Sequence, residues 1–322
     1  MGALRNLTTD QQVGLLFVAL FGLLMVVTIL ALGRTLRELT PEQQEIHDRF
    51  VRDLRTVWLG AVLFWLSWVL GAVAATVLFG VVSFLAFREF ITLSHTRRAD
   101  HRSLLLAFFV ILPLQFALAG SGQVDLFTVF IPVYVFFALP VTSAFGNDPQ
   151  RFLERTANIQ WGIMVCIYGL SHAPALLLMD LPGHTDRGPF MVFYLVVVVT
   201  AAQIVQGAVS RVLRRRPVAR AISRSFSWRA WLAGSLAAGV VGALLYWVTP
   251  FKPVPALVMG FIVGAVGSLG EFVMQAMKRD AGVRSWGGRT SVTGAVGLLD
   301  WVAPLCFAAP VFLHVAHWVL AR

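Results

Sequence analysis

The residues best suited to chemistry lie near the carboxyl end of the chain. Glu271 lies within a long apolar segment, and Lys278 follows seven residues later, on the same helical face and about 10 Å further along. Arg279 and Asp280 adjoin this lysine, and Asp300 opens the next apolar segment. Ionisable side chains are costly in such segments, so their presence suggests a functional site.

A glycine-rich turn lies between these two groups of charged residues. Residues 287–294 read Gly-Gly-Arg-Thr-Ser-Val-Thr-Gly, and the backbone N–H groups of such a turn can cradle phosphate oxygens. Carboxylates bind magnesium, and basic side chains neutralise phosphate charge, so the pattern favours phosphoryl or nucleotidyl transfer. The alternative is a loop at the membrane surface with snorkelling basic side chains and one Glu–Lys helix pair. The spacing alone leaves both interpretations open.

Composition indicates the kind of protein that must position these residues. The 322-residue chain is 58% hydrophobic and 13% charged, with a mean hydropathy of +0.77, whereas soluble domains are about 25% charged. Because too few charges exist to cover a soluble globule, we expect an all-α, polytopic integral membrane protein. The same numbers exclude disorder, a coiled coil and a disulfide scaffold. Cys166 and Cys306 lie in apolar segments and show no metal-binding spacing.

The apolar segments predict about ten membrane spans, with the N-terminus outside. This topology places 22 of the 26 basic residues in inner loops or at inner span ends, as the positive-inside rule requires. We therefore expect the bacterial inner membrane as the location, with the basic excess facing anionic lipid headgroups and no nucleic-acid partner. The predicted spans are residues 13–32, 57–70, 72–87, 104–119, 124–143, 157–179, 189–210, 228–249, 254–277 and 298–319.

Two features organise the N-terminal half. A charged amphipathic segment, residues 33–56, follows the first span, and Thr40 with Gln43 three residues later predicts a helix start on the inner membrane face. The second and third spans form one apolar stretch that is too long for a single crossing, so we expect a tight hairpin with its tip at Gly71. The predicted divisions are N-terminal membrane helices, 1–156, and a C-terminal membrane domain with the charged pattern, 157–322.

Two blocks of the sequence resemble a known family. Gly270-Glu271, Lys278-Arg279, Asp280-Ala281-Gly282 and the run from Gly294 to Asp300 occur in one order. That order is similar to the C-terminal signature of the phosphatidate cytidylyltransferase (CDP-diacylglycerol synthase) family. The segment 222–230 stands where the family has a serine-rich block, and Phe87-Arg88-Glu89-Phe90 resembles its branch with a longer N-terminal half. The resemblance covers most of the chain loosely and residues 200–312 in register.

The resemblance implies a reaction and a set of residues for it. Such an enzyme transfers CMP from CTP to phosphatidate or a related lipid phosphate, which gives CDP-diacylglycerol or a related CDP-lipid and pyrophosphate. Glu271, Asp300 and Lys278 are then expected to be catalytic, with the two acids holding Mg²⁺. The expected partners are CTP, the lipid phosphate and membrane lipids, and a homodimer is left open. The residues expected to bind substrate are Arg279, Arg284, Ser223, Ser227, Trp228, Gln203 and Gly294.

Departures from the family pattern leave a second interpretation open. Gln203 and Ala303 stand where the family has aspartates, so a second magnesium ion lacks evident ligands. One ion is still expected, because magnesium needs few carboxylates when substrate phosphates complete its coordination. The alternative is a catalytically inactive relative that binds lipid or a partner protein. Transport is disfavoured, because no paired interrupted helices are visible in repeated halves. The other replaced positions are Ser225, Arg229, Arg284, Ser285 and Trp301.

Overall fold

Helices make up the regular structure of the part of the chain that can be described. The computed structural model describes residues 9–35, 40, 43–44, 47, 51, 54, 58, 60–62, 65–66, 69–179, 187–213, 217–223, 226–283, 286 and 297–320. Within these ranges the chain forms helices and turns and contains no strand. The predicted all-α class is therefore confirmed.

The helices follow the predicted apolar segments closely. Short π-helical stretches interrupt three of them, at Ala107–Ile111, Phe130–Val135 and Ile163–Gly169. In chain order the helices are α1 (Thr9–Thr35), α2 (Gly71–Leu93), α3 (Arg98–Gly120), α4 (Val124–Ala144), α5 (152–177), α6 (Gly188–Leu213), α7 (Trp228–Leu244), α8 (Pro253–Asp280) and α9 (Leu298–Leu320).

Seven of these helices are long and apolar enough to cross a membrane: α1 to α4, α6, α8 and α9. The chain is therefore an integral membrane protein, but the described residues support seven spans by length and composition and not the predicted ten. Helix α7 has 17 residues, or about 25 Å, which is shorter than a hydrocarbon core of about 30 Å. The first three turns of helix α5 contain charged and amide side chains, and six of the fourteen residues of the predicted span 57–70 lie outside the described residues. The orientation of the N-terminus stays a prediction.

The chain divides into two compact units, Met1–Leu78 and Phe79–Arg322. This division by compactness leaves the predicted boundary at residues 156 and 157 untested. In the first unit, Thr40 N–H donates to Gln43 Oε1 at 3.2 Å and Gln43 N–H donates to Thr40 Oγ1 at 3.4 Å. This reciprocal capping box confirms the predicted helix start. Gly71 has a φ of +81°, so the backbone bends at the residue predicted to form the hairpin tip.

In the second unit, α6, α7 and α8 pack closely against one another and against α9. Small residues allow the close approach, since a Cβ atom added to Gly260 would lie 2.6 Å from the carbonyl oxygen of Ala238. The Tyr194 hydroxyl of α6 donates to the carbonyl oxygen of Ala256 on α8 at 2.5 Å. These contacts fix the position of α8, which carries Glu271 and Lys278.

A second apolar core joins α2, α3, α4 and α5 to α8 and α9. Phe87 and Phe90 of α2 are buried in it, and both cysteines contribute unpaired, buried side chains. The Ser83 hydroxyl of α2 donates to the carbonyl oxygen of Cys166 on α5 at 2.8 Å. The packing of Phe87 and Phe90 with Leu299 in this core therefore holds the carboxyl end of α2 beside the start of α9.

A network of charged groups joins the first turn of α3 to the first turn of α5 and to the connection before α5. Buried Arg155 forms ion pairs with buried Asp100 at 3.3 Å and with Asp148 at 2.7 Å. The N–H of Gln150 and the guanidinium of Arg155 hold the pKa of Asp148 below its usual value. The sequence did not predict this network, because its members lie about 50 residues apart in the chain, in the first turns of two helices and in a connection.

Candidate active site

Three helix ends meet at one end of the bundle in the second unit. The carboxyl end of α2 contacts the first turn of α9 through Glu89, and the carboxyl end of α8 contacts the same turn through Lys278. Each of these side chains comes from a different helix, so the site depends on tertiary packing. The core described above supplies that packing.

Asp300, in the first turn of α9, is the centre of the site. Its Oδ1 accepts a hydrogen bond from Lys278 Nζ at 2.5 Å, and its Oδ2 accepts one from the backbone N–H of Trp286 at 3.1 Å. The Lys278 and Asp300 side chains are 15% and 26% exposed to solvent, respectively. A charge-assisted pair that is only partly buried can exchange partners with a ligand, so this pair is accessible for chemistry.

Glu271 lies on α8 two turns before Lys278, and the structure brings it into the same group of charges. Its carboxylate accepts a hydrogen bond from Gln275 Nε2 at 2.9 Å and interacts electrostatically with both Lys278 and Asp300. The three residues expected to be catalytic from the sequence therefore come together. Their chemical roles stay predictions, because proximity alone does not assign them.

The connection between α6 and α7 is attached to the carboxyl half of α8. Arg279 Nε donates to the carbonyl oxygen of Ile222 at 3.4 Å, and the ring of Phe226 stacks on that of Phe272 with centroids 4.3 Å apart. Phe272 is the neighbour of Glu271 in sequence. The serine-rich block thus packs against the carboxyl half of α8, which carries Glu271 and Lys278.

The polar residues of that block have structural roles in this state. Ser223 Oγ accepts a hydrogen bond from the N–H of Phe226 at 3.2 Å, and Ser227 Oγ caps α7 by accepting one from the N–H of Ala230 at 3.3 Å. Trp228 is 57% exposed, and its ring packs edge-on against Phe226. Substrate contacts of Ser223, Ser227 and Trp228 remain predictions.

Gln203 on α6 contributes a buried amide nitrogen. Among the described residues this Nε2 atom has no hydrogen-bond acceptor. A buried unsatisfied donor is costly, so this amide is suited to a ligand oxygen. Two further predicted substrate-binding residues, Arg284 and Gly294, lie outside the described residues.

Glu89 is the residue of this site to which the sequence assigned no role. It is 4% exposed, and its Oε1 and Oε2 accept hydrogen bonds from the N–H groups of Gly297 and Leu299 at 2.6 and 2.8 Å. The sequence feature that could have indicated a role for Glu89 was a single acid near the end of an apolar span. Its partners are backbone groups 208 and 210 residues away, and side-chain identity cannot reveal them.

The donor set fits one magnesium ion but not a site built from protein ligands alone. Among the described residues, no group of three or more histidine, cysteine or acidic side chains is arranged to hold a metal. Glu271 nevertheless interacts electrostatically with both Lys278 and Asp300, and two carboxylates would suffice if substrate phosphates supplied the remaining oxygens. Glu271 is the more available of the two acids for a metal ion, because Asp300 already binds Lys278 and the Trp286 N–H.

Comparison with known proteins is consistent with this geometry. A sequence model described as the cytidylyltransferase family matches residues 50–319. The chain belongs to the cytidylyltransferase family. The matched region contains Glu89, Glu271, Lys278 and Asp300, and the resemblance seen in the sequence is thereby confirmed.

Two relatives show how this family member compares with others. The chain is 31% identical to the Escherichia coli (strain K12) protein named "Uncharacterized protein YnbB" over 300 residues, which is 92% of this chain and 95% of the relative. It is also 37% identical over 84 residues to a phosphatidate cytidylyltransferase from Synechocystis, covering 26% of this chain and 27% of the relative. The likeness to a protein with a stated activity is therefore partial.

Proposed function

We propose that this protein is a membrane cytidylyltransferase that transfers CMP from CTP to a lipid phosphate, with phosphatidate as the first candidate acceptor. The observation that carries the proposal is the partly exposed Lys278–Asp300 pair with Glu271 in electrostatic contact. In the sequence these residues stand at positions that resemble those of the family signature, with Glu271 where the family has an aspartate. The site lies at a helix-bundle end, where a water-soluble nucleotide and a lipid headgroup can both reach it.

In the proposed reaction, an oxygen of the lipid phosphate attacks the α-phosphorus of CTP. A new phosphorus–oxygen bond forms, the bond from the α-phosphorus to the bridging oxygen breaks, and pyrophosphate leaves. Lys278 and Arg279 would neutralise phosphate charge during this exchange. Glu271 and Asp300 would hold one magnesium ion, which when bound supplies charge neutralisation at the phosphates.

Gln203 supports this assignment although the family has an aspartate there. Its buried Nε2 lacks a protein acceptor within the described residues, and a neutral donor can bind a phosphate or base carbonyl oxygen where a carboxylate would bind metal. We assign it to substrate binding, along with the serine-rich block and Arg284. The replacement of the family's aspartate by Gln203 removes one carboxylate, which fits a site that holds one magnesium ion.

The location follows from the distribution of charge. We place the site at the cytoplasmic face of a bacterial inner membrane, because the topology predicted from the sequence assigns 22 of the 26 basic residues to the inner side. The lipid would enter sideways between helices and keep its phosphate at the surface. Arg220 and Arg229 are exposed near this end and would attract anionic headgroups.

The test is a turnover assay on the purified full-length protein in phospholipid nanodiscs. Labelled CTP and phosphatidate are supplied with Mg²⁺, and the CDP-lipid and pyrophosphate are both quantified. We expect equal amounts of the two products and a loss of at least about 100-fold for Glu271→Ala, because a removed catalytic ligand or charge costs several kcal/mol.

Glu154→Ala is the matched control. Glu154 is an exposed acid on α5 that pairs with Arg151, so its removal should leave turnover within about twofold, as for surface groups in general. The absence of both turnover and a CTP-dependent thermal shift in the wild-type protein would overturn the proposal in favour of an inactive relative. Equal activity of wild-type protein and Glu271→Ala would overturn the assignment of the site.

A further inference from the structure

Glu89 connects the carboxyl end of α2 to the amino end of α9. Both carboxylate oxygens are used, one by the N–H of Gly297 and the other by the N–H of Leu299. The first N–H groups of a helix lack partners within the helix, and the aligned peptide dipoles make this end favourable for an anion. Hydrogen bonds to a carboxylate are stronger than those between neutral groups. The start of α9 is therefore held by a charged side chain from another helix.

Two contacts carry this restraint to Asp300. Leu299, whose N–H binds Glu89, is the residue directly before Asp300, so the two Cα atoms are separated by about 3.8 Å. The neighbouring residue of α2, Phe90, stacks on Trp286 with ring centroids 5.6 Å apart. The backbone N–H of Trp286 in turn donates to Asp300. One turn of α2 thus restrains the backbone at Asp300 and also the Trp286 N–H that donates a hydrogen bond to Asp300.

Glu89 does not contact Asp300 as a partner. Both side chains are acids, and their mutual interaction is repulsive. Glu89 is also buried and has both oxygens occupied, so it is poorly placed to bind substrate. Its effect on the site must therefore operate through the position of α9.

We propose that Glu89 is the positioning residue that fixes Asp300 against Lys278 for cytidylyl transfer. The catalytic part of this inference rests on the proposed function, whereas the structural part does not. A carboxylate at position 89 keeps the first turn of α9 in place, and Asp300 then needs no reorganisation when substrate binds. Residues that orient a site in this way typically contribute about 10- to 100-fold to activity.

The structural part is tested by hydrogen–deuterium exchange of the full-length protein in nanodiscs, without substrate. Glu89→Gln should raise the exchange rates of the amides at residues 297–300 by about tenfold or more, because a charge-assisted hydrogen bond is lost. Ser83→Ala is the matched control, since it removes a buried hydrogen bond between α2 and α5 without touching α9. Unchanged exchange at 297–300 in Glu89→Gln would overturn the inference.

The catalytic part is tested by steady-state kinetics. Glu89→Gln should lower kcat about 10- to 100-fold with the KM for CTP changed by less than about threefold. Glu89→Asp, which keeps the charge, should recover part of this loss, and Ser83→Ala should leave kcat unchanged. If Glu89 acts through Asp300, adding Glu89→Gln to Asp300→Asn should lower kcat no further.

The outcomes separate this inference from the proposed function. A drop in thermal stability for Glu89→Gln with unchanged kcat would show a helix cap alone and overturn the positioning role. Fully additive losses in the double variant would overturn it as well. Absence of turnover in the wild-type protein would refute the proposed function and the catalytic role together. The exchange experiment would still decide whether Glu89 fixes the start of α9.

Discussion

The ion pair between Lys278 and Asp300 should contribute to stability as well as to the site. Exposed pairs contribute about 0.2–1 kcal/mol, whereas removing one partner of a fully buried pair costs about 3–5 kcal/mol. With 15% and 26% of the side chains exposed, Lys278→Met and Asp300→Asn should each cost about 1–3 kcal/mol, a range between those limits. Their coupling in a double-mutant cycle should be about 1–2 kcal/mol. The free energies are measured by equilibrium unfolding in mixed detergent micelles.

The exposed pair between Arg151 and Glu154 provides a matched control. Its nitrogen–oxygen distance is also 2.5 Å, but its side chains are 59% and 48% exposed. The same cycle with Arg151→Met and Glu154→Gln should give a coupling of no more than about 0.5 kcal/mol, because solvent screens it. A coupling between Lys278 and Asp300 that is no larger than this value would refute the inference from burial and distance.

Two other predictions concern a missing acid and an acid in a loop. Ala303 is 2% exposed, so Ala303→Asp should destabilise the protein by about 3 kcal/mol or more, because it buries a charge. The loss should be clearly larger than that of Ala303→Asn, which buries no charge. Thermal unfolding of both variants measures the difference. Asp148 has a pKa below its usual value of 3.8. Its contribution to the free energy of unfolding is therefore present above about pH 4 and is lost as the pH falls through the pKa of the folded state. Asp148→Asn should therefore lower stability at pH 7 and weaken the dependence on pH below 4 in acid unfolding curves.

The charged pattern near the carboxyl end was informative because it depends on local spacing. Glu271 and Lys278 lie on one face of a single helix, and Asp300 begins the next helix along the chain. Consecutive helices usually pack as neighbours, so the amino-acid sequence alone predicts that the three side chains meet. The observed helix bounds are close to the predicted ones for the same reason, because apolar segments and their lengths are local features of the sequence.

Position 303 shows where family resemblance alone is misleading. The family has an aspartate there, which suggests that restoring the acid could raise activity. In this protein Ala303 packs in the apolar core with Leu299 and Cys306. Restoring the acid would therefore place a charge among apolar side chains. The surroundings of that position, which the sequence does not show, decide the outcome.

The acids of the site differ in what they already bind, and this difference explains how they can share one end of the bundle. Glu89 is satisfied by two backbone N–H groups, and Asp300 by Lys278 and the N–H of Trp286. Within the described residues Glu271 accepts its hydrogen bond from a neutral amide, that of Gln275. An arriving cation would therefore meet the least compensated charge on Glu271. It would reach Asp300 only in competition with the lysine, so phosphate binding by Lys278 and cation binding by Asp300 would favour each other.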